Sequence, residues 1–434
     1  MESCQKDPLY TITRQALNNS LWENVFMDHT KLPRSTRETT FLANQSPRDP
    51  VNQENSGTCW IHATLSYYRD CMIRSYPKID DNKIRFSVAF ILFYHLYELC
   101  DSFLQKMERM NHKVRIKDND PRLCWAMDHI ISDGASGNTG YILIQRYGIV
   151  PYDIMGSNTQ VLNTEKLVQF LKKILIRASA RIRSGEKNVR KNIMPIIHKY
   201  LCVSVGTPPK EFEYEFRGSE PLKIKKCTPL AFYNKYLKKE DPGIIYMSTY
   251  TPIKPCNWYV YKDTETITNC DQKELAIHSV TPNDLMKYVI KTIQRKSVVY
   301  AGVDITNDFS EEYGWGDEGL FNTDIILSEK ERNVLHVNED KIKDIRGKSP
   351  NHAILIVGYR TTNDKNDGPI DHFLIENSWG IESGKEGHLR VSPEWFLENV
   401  MEAAVPKKIV DKKLRNPKDI KIMECYESVG NLLN

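Results

Sequence analysis

The order of three short segments limits what this 434-residue chain can fold into more than any other feature. The run Gln53-Glu54-Asn55-Ser56-Gly57-Thr58-Cys59-Trp60 comes early, whereas His352-Ala353 and Asn377-Ser378-Trp379-Gly380 lie far downstream. A thiol, an imidazole and a carboxamide in this order suit nucleophilic thiol catalysis, provided that the fold brings them together. The early and late parts of the chain must then form facing walls of one cleft, and the expected activity is that of a cysteine peptidase.

A thiol near its unperturbed pKa of about 8.5 is mostly protonated at neutral pH, so catalysis needs a device that favours the thiolate. Trp60, Ile61, Ala63, Leu65, Tyr67, Tyr68, Cys71 and Met72 predict a buried helix whose first turn holds Cys59. The amino end of that helix places partial positive charge beside the sulfur. An imidazolium at His352 supplies the rest by ion pairing and later protonates the leaving amine. Asn377 is the candidate to orient that imidazole. Gln53, six residues before Cys59, can join the Cys59 backbone N–H around the oxyanion.

His62 lies three residues beyond Cys59, but side chains at that spacing point back along the helix, so it is not expected to act as the base. Trp379 is expected to shield the bond between Asn377 and His352 from water. Cysteine is among the most buried residue types, and Cys71, Cys100, Cys124 and Cys202 are expected to be structural.

Ten cysteines in 434 residues are too few for a disulfide scaffold, and no CxxC pair suggests zinc. Reduced thiols in a cytoplasmic compartment are the expectation, with no metal or organic cofactor. A formal net charge of +4 implies no obligate acidic partner. The start, Met1-Glu2-Ser3-Cys4-Gln5-Lys6-Asp7-Pro8, has no apolar core of a secretory signal, and no stretch approaches the roughly 20 apolar residues of a membrane span. The short segment before Cys59 leaves little room for a long inhibitory propeptide.

Five sections are expected. Residues 1–50 are polar and proline-punctuated, an arm leading to the core. Residues 51–150 read as helical, including a buried helix over Val88 to Met107, with an exposed insertion between Lys106 and Asp120. Residues 151–297 form an inserted subdomain. Residues 298–405 carry strands over Val298–Asp304, Ala353–Tyr359, Phe373–Glu376 and His388–Val391. Residues 406–434 form a carboxyl-terminal arm. Within the insertion, Lys166, Lys172, Lys173, Arg177, Arg181, Arg183, Lys187, Arg190, Lys191 and Lys199 make a basic segment, read either as a solvated face or as a surface for nucleic-acid phosphates.

These residues resemble the papain-like cysteine peptidases, and within them the bleomycin hydrolase and aminopeptidase C family. The resemblance is carried by Asn52-Gln53-x-x-Ser56-Gly57-x-Cys59-Trp60 and Ile375-Glu376-Asn377-Ser378-Trp379-Gly380. It continues in Tyr147-Gly148-Ile149-Val150-Pro151, Gly206-Thr207-Pro208-Pro209, Thr228-Pro229-Leu230-Ala231-Phe232-Tyr233 and Glu394-Trp395-Phe396. It implies an α+β, two-lobed fold of helical lobe and β-barrel lobe, with large helical insertions. It also implies an aminopeptidase that takes peptide substrates with a free amino terminus. A homohexameric ring is implied as well, with possible DNA binding through Lys172, Lys173, Arg177 and Arg181.

Relatives of this kind thread their carboxyl-terminal arm into the cleft, and Tyr426 to Asn434 resembles that arm. The resemblance thus assigns Gly134, Ala135, Trp379 and the terminal Asn434 to substrate binding. The chain departs from the family's paired glycines at Gly134-Ala135, where a methyl group can narrow the cleft. Two rival readings remain open: an endopeptidase whose tail stays outside the cleft, and a basic ring that mainly binds nucleic acid.

Overall fold

The computed structural model describes residues 8–33, 41–42, 51–80, 84–111, 117–239, 243–249, 255–262, 275–306, 308–335, 350–365, 367–417 and 419–424. At its centre is helix α1 (Cys59–Ser75), in which thirteen of 17 residues are buried. A helix buried all round needs neighbours on every side. Here they are α2 (Val88–Met110) and α3 (Gly137–Tyr147) on one side and the β sheet on the other. Ser87 caps α2, its hydroxyl accepting from Phe90 N at 3.0 Å.

Helix α2 continues to Met110 and buries Lys106 and Met107, so the insertion expected from Lys106 begins later than its charges suggest. Two long amphipathic helices, α4 (Glu165–Arg183) and α5 (Val189–Ser204), pack against α2 through Leu167, Leu171, Leu175, Ile193, Ile197 and Leu201. Gly148 ends α3 with φ +84°, and a side chain there would overlap the Pro229 carbonyl, which ties the Tyr147–Pro151 motif to the Thr228–Tyr233 motif.

The β lobe is one mixed sheet, on which α6 (Pro282–Gln294) packs. Its centre runs β1 (Ile244–Ser248), β6 (Val400–Pro406), β2 (Val299–Val303), β3 (His352–Thr361), β4 (Ile370–Glu376) and β5 (His388–Val391). Strand β3 is buried at all ten positions, as its run of Ala, Ile, Leu and Val requires of a strand covered on both faces. Its neighbours fix its register: His352 lies opposite Val303, Ala353 opposite Gly302 and Leu355 opposite Glu376.

Strand Lys421–Glu424 pairs in parallel with Trp258–Lys262 at one end of the sheet; Tyr426 to Asn434 lie outside the described residues. No helix among the described residues is long and apolar enough to cross a membrane.

Candidate active site

Cys59 opens α1. Thr58, fully buried, accepts from the N–H groups of Ile61 and His62, which leaves the N–H groups of Cys59 and Trp60 free to turn toward the sulfur. The backbone of Ala353 in β3 acts in the same direction, so a helix end and a strand end both favour the thiolate. Burial nonetheless dominates and pushes the Cys59 thiol up, with the nearby Asp133 charge adding to it. Residue Cys59 remains partly exposed although Trp60 and Ile61 behind it are fully buried.

His352, one residue before Ala353, holds its Nε2 2.8 Å from the Asn377 Oδ1. That bond leaves Nδ1 as the nitrogen able to exchange a proton with a thiol. Burial pushes the His352 imidazole down, and the Asn377 bond acts in the opposite direction. Burial thus works against the charged form of both groups. The Trp379 ring lies 4.7 Å from the His352 ring, tilted by 35°, and covers the imidazole.

Gln53 is tied to the same loop: its backbone N donates to Ser378 O at 2.8 Å, and its Oε1 accepts from Ser378 Oγ at 2.6 Å. Its Nε2 donates to Ser56 O at 2.7 Å. An amide NH₂ has two protons, so the second is available for an oxyanion. Ser66 on α1 donates to Glu376 at 2.7 Å, pinning the nucleophile helix to the strand that ends just before Asn377.

The fold therefore gathers Gln53, Cys59, His352, Asn377 and Trp379. Gly134 and Ala135 lie just before α3, Gly134 exposed and Ala135 half-buried. Asn434 lies outside the described residues. His62 is buried and held down to about 4 by burial, which keeps it neutral and out of acid–base exchange at neutral pH. Cys71 and Cys100 are buried as expected, but Cys124 is exposed and Cys202 partly so, because the outer helices carry their apolar residues on one side only.

Asp133 was not legible as a site residue. Its carboxylate accepts from Gly57 N at 2.6 Å and from the Thr164 hydroxyl, and its backbone O accepts from Trp60 Nε1 at 2.8 Å. A Cβ on Gly57 would stand 2.7 Å from the Asp133 Oδ1, which is why glycine precedes Thr58-Cys59. Only the conjunction of Gly57 with a distant acid could have signalled it, and nothing in spacing joins the two.

A profile of the peptidase C1-like family matches residues 1–428. The chain belongs to the peptidase C1-like family. It is a cysteine peptidase. Among relatives, human bleomycin hydrolase is 22% identical, covering 95% of this chain and 92% of its own. Aminopeptidase G of Lactobacillus delbrueckii subsp. lactis is 26% identical over 87% of this chain and 85% of its own. Aminopeptidase C of Lactococcus lactis subsp. cremoris is 26% identical over 84% and 82%. The solved structure of PepW from Lactobacillus rhamnosis superposes with a TM-score of 0.82 at 17% identity, covering 98% of this chain and 95% of that one, and shows the same fold.

Proposed function

We propose that this peptidase is a cysteine aminopeptidase similar to bleomycin hydrolase, with Cys59 as nucleophile. His352 takes the thiol proton and delivers it to the leaving amine. Asn377 holds the imidazole, while Gln53 Nε2 and the Cys59 N–H stabilise the oxyanion. Water then attacks the acyl-enzyme with His352 as base. The observation that carries this reading is the 2.8 Å His352 to Asn377 bond, set on the strand that packs against the helix opened by Cys59.

Exopeptidase action rests on the printed names of the relatives and on the resemblance of Tyr426–Asn434 to a cleft-entering arm. Gly134, Ala135 and Trp379 would line the substrate's path and Asn434 would meet its amino group. The test compares fluorogenic peptides with free and acetylated amino termini on wild-type protein, Cys59→Ala and a chain ending at Glu424. Free-terminus preference that shifts toward blocked peptides on truncation supports the reading; equal cleavage of both by the full chain makes it an endopeptidase.

The same reading carries a cytoplasmic setting, supported by free cysteines throughout the described residues, and a homohexamer. The assembly is supported by exposed apolar side chains on the outer helices. Ile196, Tyr200 and Val203 (79% exposed) recur at helical spacing on α5, and the Tyr200 ring meets Phe170 of α4 at 4.7 Å. Sedimentation would settle the oligomer.

DNA binding would use Lys172, Lys173 and Arg177, which have no ion-pair partner among the described residues; Arg181 is held by Glu186. Arg183 is likewise paired with Asp118, and Arg190 with Asp101, so the basic segment is less charged than its composition. Absence of salt-dependent binding to duplex and single-stranded DNA would remove this partner.

A further inference from the structure

Beyond Cys59, α1 carries His62, Leu65, Ser66 and Arg69 at the spacing i, i+3, i+4 and i+7, so the four share one face. Each is more than nine-tenths buried, and together they form one wall of a cavity of about 290 Å³. Ile84, Arg85 and Phe86, just before α2, line it too, with Leu162 and the Val51-Asn52 step that leads into Gln53.

Polar side chains on a buried face need partners. Ser66 has one in Glu376, at 2.7 Å. The His62 ring has none among the described residues, and burial is the only influence on its titration. A buried imidazole without a hydrogen bond, set in the wall of a cavity, holds its N–H ready for a group that enters. Arg69 and Arg85 add guanidinium donors to the same cavity, and among the described residues no acid lines it. A guanidinium has five N–H groups, so a bond elsewhere leaves others to offer.

The cavity adjoins the catalytic residues without including them. Gln53, Cys59, His352 and Asn377 are not among its walls. Val51, His62 and Ser66 are shared with a second cavity of about 10 Å³, roughly the room for one water, which Asn377 and Ser378 also line. Asn52 pairs with Trp379, the ring that covers His352.

These features select one kind of ligand. A bare inorganic anion would meet the arginines but leave Leu65, Phe86 and Leu162 against water. An apolar molecule would leave His62 unbonded and the guanidinium groups desolvated. An anion with an aliphatic body meets both halves of the lining, and a carboxylate matches the fork of a guanidinium. We propose that this cavity is a binding site for a small organic carboxylate, its head held by His62, Arg69 and Arg85 and its aliphatic body lying against Leu65, Phe86 and Leu162. The occupant rests on Asn52 and Ser66, beside the catalytic loop and outside the peptide cleft.

The test titrates hexanoate, hexanamide and inorganic phosphate into the full-length protein by calorimetry. In wild-type protein hexanoate is expected to bind with a Kd on the order of 1 mM or tighter. Hexanamide has the same body without the charge, and phosphate has the charge without the body; each should bind about tenfold more weakly or worse. Arg85 is exposed and Leu162 half-buried, so Arg85→Gln and Leu162→Trp leave the face of α1 in place. Each should weaken hexanoate about tenfold or more, the first by removing a charged donor and the second by filling the cavity.

No binding of hexanoate to the wild type overturns the proposal. So does hexanamide or phosphate binding as tightly as hexanoate, because the site would then not read charge and body together. These three titrations need no variant, so the answer does not depend on how a variant folds. Unchanged hexanoate affinity in either variant, once its melting curve shows it folded, would place the ligand elsewhere, the peptide cleft included, and overturns it as well. None of these measurements needs turnover, so they stand apart from the assignment of Cys59 as nucleophile.

Discussion

Cys59 is placed between opposing influences: three backbone groups favour its thiolate, while burial and Asp133 oppose it, and burial prevails. The Asp133 contribution is testable because its charge can be removed with little change in shape. In Asp133→Asn, the pH midpoint for alkylation of Cys59 by iodoacetamide should move down, since a nearby negative charge raises a thiol pKa. An unchanged or raised midpoint would mean that Asp133 acts only by holding Gly57 N and Thr164. Gln53→Ala should lower kcat about 100-fold or more with a smaller change in KM, as expected for a donor used chiefly in the transition state. Rapid kinetics on an ester and an amide substrate would check it. At this scale Gln53, Cys59, His352, Asn377 and Trp379 were legible because thiol catalysis constrains their types and order. Asp133 was not, since an isolated acid in a sequence has no partner until the chain folds.

Helix α3 begins where cleft and core meet, and its two nearby glycines differ in kind. A Cβ on Gly137 would overlap the Tyr300 ring, whereas a Cβ on Gly134 has only Ser132 Oγ within reach, at 3.5 Å. Gly137→Ala should therefore destabilise the fold by about 1–3 kcal/mol through overpacking, and Gly134→Ala should leave thermal stability nearly unchanged. Matched melting curves decide it, and equal losses would show that α3 relaxes. The elements themselves were largely readable: α1 and the strands at Val299–Val303, His352–Thr361, Ile370–Glu376 and His388–Val391 follow the apolar and β-branched runs. The start of the insertion after α2 was misjudged because Lys106 is charged yet buried, its placement decided by the helices packed on it.

For the whole molecule, two buried histidines link folding to pH. Burial holds His62 and His95 down to about 4 from an ordinary value of 6.5, while unfolded histidines keep the higher value. Between these values the unfolded chain binds more protons, so stability is fully present above about pH 6.5 and is lost as pH falls through 4. Each contributes on the order of 3 kcal/mol across that window. Urea midpoints from pH 7 to 4.5 should fall, and His95→Gln should flatten the slope; an unchanged slope would assign the acid sensitivity elsewhere. His95 also packs its ring 4.7 Å from Trp60 and meets Ser132 O at 3.1 Å, so this acid-sensitive contact lies directly behind the nucleophile.

By itself the sequence determined the chemistry and its order: a thiol at a helix start, a histidine opening a strand and an asparagine ending the next. Those choices are forced by reaction requirements and by periodicity, which are written along the chain. The tertiary structure alone decided what surrounds them, because burial, charge pairing and the space left by a glycine depend on residues far apart in sequence. Asp133 beneath Gly57 and the acids that neutralise Arg181, Arg183 and Arg190 are all of that kind.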